Sequence, residues 1–84
     1  MPANVDRLDP LRADPPEEGF ELYRHRNADQ LQTRGWHGHF WARPGATGDY
    51  ELRSVPTFLG EPSTPAGTAP REPFERLYRK AERV

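Results

Sequence analysis

The chain has 84 residues, of which 33% are hydrophobic and ten are prolines, and its formal net charge at pH 7 is −1. This length allows one small domain, and an apolar content below the usual ~45–50%, even with glycine included, predicts a small core. The chain has no cysteine, which excludes a disulfide framework, a thiolate zinc site and cysteine catalysis and favours a reducing, cytoplasmic setting.

Charge is distributed weakly along the chain, with −3 in residues 1–33, 0 in 34–70 and +2 in 71–84. No segment has the strongly basic footprint of a dedicated nucleic-acid binder, so nucleic acid is disfavoured as a partner. Eleven of the twelve basic residues are arginine, a bias associated with GC-rich bacterial or phage genomes. No apolar run resembles a signal peptide, an anchor or a membrane span, so we expect no membrane contact.

Residues 1–18 are predicted to form an extended or disordered arm, because they combine four prolines with acidic residues and few apolar ones. The prolines restrict any helix to a single turn, in which Val5, Leu8 and Leu11 would share one side. The sequence leaves two alternatives open: the arm is plainly disordered, or it is a segment that becomes ordered by docking.

Residues 19–84 are predicted to form a single small domain. Residues 20–25 alternate and suit a first strand, with Phe20 and Leu22 on one face and Tyr23 and His25 on the other. Next, Asn27 begins a turn or short helix that extends through Gln32.

Residues 36–55 predict a β-hairpin, because two β-forming runs flank a PGATG turn at residues 44–48. The expected register pairs Arg43 with Asp49 and Phe40 with Leu52. It places one side of the hairpin in the core and leaves the other polar. The core side contains Trp36, Phe40, Ala42, Tyr50 and Leu52; the polar side contains His37, His39, Trp41, Arg43, Asp49, Glu51 and Arg53.

Residues 56–70 are interpreted as a Pro-rich linker, and residues 71–84 predict an amphipathic helix. Its apolar stripe follows helical spacing, with Phe74, Leu77, Tyr78 and Ala81 at i, i+3, i+4 and i+7. The predicted fold is therefore α+β: an antiparallel sheet of about three strands, with the hairpin at its centre and one C-terminal helix on its Phe40 face.

The pair His37 and His39 raises the question of a metal site, because residues at i and i+2 of a strand share a face. A site needs further ligands, and His25 is the third histidine with suitable parity. Arginines on the same face oppose a bound cation, so the preferred interpretation is two solvent-facing histidines. A small metal- or ligand-binding domain using His25, His37 and His39 remains an alternative, and no cofactor is predicted.

Trp41 is the most distinctive residue of the polar side. An exposed tryptophan among arginines is a typical anchor for a protein partner. The predicted partner-binding residues are Trp41, Tyr23, His39, Arg43 and Arg53. The opposing interpretation is that the N-terminal arm or the 56–70 segment folds over Trp41 and buries it.

Catalytic motifs are missing from the sequence: no nucleophile elbow, P-loop or dinucleotide fingerprint is present. The leading expectation is a non-enzymatic accessory protein that docks on a larger protein partner or assembly. A homo-oligomer is a further expectation, since a small sheet leaves edges unpaired. A nucleic-acid accessory protein is the second alternative.

Overall fold

The structure is a computed structural model that describes residues 7–83. A 3-10 turn at Pro10–Arg12 precedes the domain. The strands are β1 Glu21–His25, β2 His39–Pro44, β3 Tyr50–Ser54, β4 Pro65–Ala69 and β5 Tyr78–Lys80, and the helices are α1 Ala28–Gln32 and α2 Arg71–Leu77.

Within residues 7–83, the five strands form one antiparallel sheet in the order β4-β3-β2-β1-β5. The predicted α+β class is confirmed, as are the antiparallel hairpin at the centre of the sheet and a helix near the C-terminus. The expected number of three strands is wrong, because each edge of the sheet carries a strand that the sequence did not predict.

The hairpin of β2 and β3 is displaced by two residues from the expected register. Arg43 pairs with Glu51, and Phe40 pairs with Ser54. The Gly45 amide donates to the Asp49 carbonyl oxygen at 2.7 Å and closes the loop between the strands. Because the displacement is even, every hairpin side chain keeps the face that its parity predicts.

The first unpredicted strand, β4, lies inside the segment interpreted as a linker. Its proline content argued against a central strand, but Pro65 is the first residue of an edge strand, where no ladder donor is required. The register with β3 shifts between Leu52 and Arg53, and Gly67 there has φ +91°. This irregularity fits an edge position, where bulges are common.

The second unpredicted strand, β5, replaces the second half of the predicted helix 71–84. Helix α2 ends at Leu77, and Tyr78 adopts an extended backbone at φ −121° and ψ 147°. The chain then pairs with β1, and the Ala81 amide donates to the Leu22 carbonyl oxygen at 2.8 Å. Pairing with β1 stabilises the residues after Leu77 more than further helical turns would, since short isolated helices are only marginally stable. Val84 lies outside the described residues.

Both faces of the sheet are covered. On the helix-covered face, Phe74 of α2 packs on Ala42, Tyr50 and Leu52. On the opposite face, which we call the arm-covered face, residues 7–18 pack on the buried cluster of Phe20, Leu22, Trp41 and Val55. The sequence predicted a core on one face of the sheet only. Because the other face is also covered, the candidate site lies beneath the arm.

The arm described by the structure is residues 7–18; residues 1–6, including Val5, lie outside the described residues. Leu8 and Leu11 contact the buried cluster, and Ala13 is itself buried. The Leu8 amide donates to the Thr57 carbonyl oxygen at 2.9 Å, so the arm is also bound to the segment after β3. Of the two alternatives predicted for the arm, residues 7–18 follow the one in which it becomes ordered by docking. They dock on the sheet of their own chain.

Candidate functional site

Trp41 is buried, with only 1% of its surface exposed. Strand β2 directs its side chain to the arm-covered face, where it pairs with Arg53 across β3 and with Leu22 across β1. The arm closes over it, and the Arg83 guanidinium lies 5.6 Å from the ring centroid. Of the two interpretations of Trp41, the structure shows the one in which the N-terminal arm folds over it and buries it, and the exposed anchor is not observed.

Tyr23 lies on the other side of the sheet from Trp41. It pairs with Phe40, so alternation along β1 directs it to the helix-covered face. There its ring makes edge contacts with Tyr50 at 5.8 Å and Phe74 at 5.1 Å between centroids. The predicted placement of Tyr23 beside Trp41 is wrong, and the structure does not bring these five predicted binding residues onto one surface.

Arg43 and Arg53 form the polar part of the arm-covered face, next to the buried cluster. Both contact the Glu17 carboxylate of the arm, at 3.7 Å and 2.8 Å. Arg43 also donates to the Glu18 carbonyl oxygen at 3.0 Å, and its guanidinium lies 4.3 Å from the Phe20 ring centroid. The two arginines thus hold an acidic segment against an aromatic surface.

His39 is the first residue of β2 and His37 lies two residues before it, and their rings are 5.5 Å apart between centroids. His37 Nδ1 accepts from the His39 amide at 3.0 Å, and His37 Nε2 lies 2.7 Å from the Val55 carbonyl oxygen. This pattern requires a neutral His37 that is protonated on Nε2. The preferred interpretation of two solvent-facing histidines is wrong, since His37 is partly buried and His39 is buried.

His39 has one ring nitrogen without a partner. Its Nδ1 lies 2.9 Å from the His37 carbonyl oxygen, whereas its buried Nε2 has no hydrogen-bond partner among the described residues. Burial lowers the pKa of both His37 and His39 below the ordinary 6.5, because a buried imidazolium loses its hydration. Both rings are therefore neutral packing groups at pH 7.

His25 is separated from the other two histidines by the sheet. Arg24 pairs with His39, so the next residue along β1 points to the opposite face. The His25 ring contacts Tyr78 at 5.0 Å, and its Nδ1 accepts from the Asn27 amide at 2.9 Å. Residues 7–83 contain no group of three or more histidines and carboxylates arranged for a metal ion. The structure therefore does not bring His25 together with His37 and His39.

Two contributors to the arm-covered face were missed by sequence reasoning. Arg83 donates to the Ala13 carbonyl oxygen at 2.5 Å and lies 3.5 Å from the Asp14 carboxylate. Glu17 joins Arg43 and Arg53, as described above. The only signal in the sequence was complementary charge, an acidic N-terminal segment and a basic C-terminal one, and this does not specify partners.

A groove of about 420 Å³ runs between the arm and residues 56–63. Leu8 and Pro16 of the arm line it together with Trp41, Arg53 and Phe58. The Arg53 Nε atom is buried and has no hydrogen-bond partner among residues 7–83. The arm therefore covers this face incompletely.

Comparisons with protein-family models, curated proteins and solved structures found no match to this chain. Within the described part of the chain, neither helix has the length and apolar character that a membrane crossing requires.

Proposed function

We propose that this protein is a non-enzymatic interaction protein that docks on a larger protein partner or assembly through its arm-covered face. The observation that carries the proposal is the mode of arm binding. Residues 7–18 lie on the sheet as a bound peptide would, with apolar contacts to the buried cluster and acidic contacts to arginines. A surface that binds one such segment can bind another of similar chemistry.

The surface beneath the arm has the composition of a protein-binding hot spot. Displacing the arm exposes Trp41 and Phe20 next to Arg43 and Arg53. Tryptophan and arginine are enriched among residues that dominate binding energy, because they combine large apolar area with directional hydrogen bonds. The histidines nearby use ring nitrogens for backbone hydrogen bonds, which supports a structural role for them.

The arm is held by contacts that a partner can replace. Its ion pairs involve exposed carboxylates, and such pairs are worth at most about 1 kcal/mol each. Its apolar contacts come chiefly from Leu8 and Leu11, which are only partly buried. A partner segment with larger apolar residues would bury more of the same face.

The test is affinity purification from the native host with a variant that lacks residues 1–18. We expect this variant to retain a protein partner more strongly than the full chain does, since its binding face is uncovered. Circular dichroism and cooperative urea unfolding must show that the variant is folded. A folded variant that retains no protein above the level of the full chain contradicts the proposal.

Charge reversal identifies the surface. In the deletion background, Arg43→Glu with Arg53→Glu should abolish partner retention, whereas Arg34→Glu, at an exposed position after α1, should not. Equal retention by both variants would place the docking surface elsewhere and overturn the proposed site. Salt-sensitive binding of a labelled single-stranded oligonucleotide, in place of a protein, would favour the nucleic-acid alternative.

A further inference from the structure

We infer that the arm can exchange between two copies of this chain, so that residues 7–18 of one copy occupy the arm-covered face of the other. The inference rests on the proposed function in one respect, that the arm can leave its face. It goes beyond it by naming the partner as a second copy and the docked segment as the arm itself.

The arm and the sheet are complementary, and the contacts do not depend on the chain connection between them. Residues 7–18 carry four carboxylates and two arginines, a net charge of −2. Before the turn at residues 16–19, Arg83 of the domain binds the Ala13 carbonyl oxygen and the Asp14 carboxylate, and Leu8 and Leu11 pack on the buried cluster. These contacts can form in the same geometry when the arm comes from a second copy, which is the condition for a swapped dimer.

The connection between arm and sheet is a turn at residues 16–19 that leads into β1. Within residues 7–83 its backbone is closed by one long hydrogen bond, from the Phe20 amide to the Glu17 carbonyl oxygen at 3.5 Å, and Arg43 and Arg53 bind its Glu17 and Glu18. Gly19 in this turn has φ +91°, a conformation that glycine adopts readily and other residues do not.

The residues before the hinge favour an open arm. Pro15 and Pro16 each restrict the preceding residue to extended backbone, so the segment is straight up to the turn. A short hinge with stiff flanks favours exchange, because the contacts of residues 7–14 that are lost when the arm opens are recovered in the dimer.

The experiment uses single cysteines, which the cysteine-free chain allows. Arg7 and Phe58 are direct antiparallel partners at the end of the arm, and residues paired in this way lie within disulfide range. One chain carries Arg7→Cys and a second, larger tagged chain carries Phe58→Cys. After mixing and oxidation, a disulfide between the two different chains forms above the background of random collision only if the arm of one docks on the other.

A matched control uses Ser54→Cys in one chain and Thr64→Cys in the other. These side chains contact each other at 3.0 Å between β3 and β4, away from the hinge. We expect the Arg7–Phe58 mixture to give at least about fivefold more mixed disulfide than this control. Equal yields from the two mixtures overturn the inference.

The hinge itself supplies a second measurement. Gly19→Ala forces a side chain into positive φ only in the closed turn, so we expect it to raise the dimer association constant at least about fivefold in sedimentation. Gly48→Ala, at φ +92° in the hairpin loop, should leave it unchanged. A dimer fraction that does not respond to Gly19→Ala also overturns the inference.

Failure here and failure of the proposed function give different results. If Arg7→Cys with Phe58→Cys in one chain forms only intrachain disulfide, the arm docks in its own copy, exchange is refuted and partner docking still stands. If exchange occurs but the deletion variant retains no other protein, only the proposed function fails. If neither arrangement forms a disulfide, the arm does not dock and both proposals fail.

Discussion

Replacing Gly38 with alanine tests whether close packing between α1 and the start of β2 limits the stability of the domain. Gly38 has φ +82°, and a Cβ atom there would lie 2.8 Å from the Cβ and 3.0 Å from the Cα of the fully buried Ala28. Left-handed backbone costs an L-residue about 1–2 kcal/mol, and overpacking adds about 1–3 kcal/mol. We therefore expect the free energy of unfolding to fall by about 2–5 kcal/mol.

The assay is urea unfolding followed by tryptophan fluorescence. Gly35→Ala is the matched control: its φ is +94°, but its Cβ would meet nothing within 4 Å, so only the backbone penalty of about 1–2 kcal/mol applies. Adding Ala28→Gly to Gly38→Ala removes the contact with the Ala28 Cβ but not the one with its Cα, so it should recover part of the packing loss, which appears as a coupling energy in a double-mutant cycle. A loss for Gly38→Ala no larger than that for Gly35→Ala would refute the close-packing argument.

Three further outcomes are expected. Because burial lowers the pKa of His37 and His39, these histidines take up protons at higher pH in the unfolded chain than in the folded one, so the free energy of unfolding should decrease as pH falls below about 6.5. A urea midpoint at pH 5 equal to that at pH 7 contradicts this. His39→Gln should reduce the difference between the two midpoints. The Tyr50 hydroxyl donates to Glu75 Oε2 at 2.7 Å, and this hydrogen bond lowers the pKa of the Glu75 carboxyl. Tyr50→Phe should therefore raise the Glu75 pKa in an NMR titration, and an unchanged pKa would exclude the contact in solution. Leu59→Ser, at a side chain 56% exposed, should change the free energy of unfolding by less than about 0.5 kcal/mol, and a larger loss would mean that Leu59 is covered.

Local pattern was sufficient to predict the central hairpin, the turn or short helix after β1, and the first half of the C-terminal helix. Alternation fixed which hairpin side chains share a face, so Ala42 and Leu52 were correctly assigned to the side that the C-terminal helix covers. The same alternation survived the register error because the displacement was even. Asn27 was correctly placed at the start of α1, although its side chain makes no capping hydrogen bond.

The edge strands were not predictable from local pattern. Tyr78 continues a helical stripe in the sequence, and its change to extended backbone depends on β1, which lies more than 50 residues earlier and offers an unpaired edge. In the sequence Pro65 is typical of a linker. Only its pairing beside β3 shows that it lies at a sheet edge, where no backbone N–H donor is required. In both cases the deciding partner is distant in the chain.

The sequence by itself determined which hairpin side chains share a face, because side-chain parity in a strand is a property of the backbone. Only the tertiary structure decided that both faces of the sheet are covered. Trp41 has the parity of a polar-face residue, yet it is buried, because the arm returns over that face and pairs Glu17 with Arg43 and Arg53. Parity specifies the direction of a side chain, whereas the segment that covers it is chosen by contacts between residues far apart in sequence.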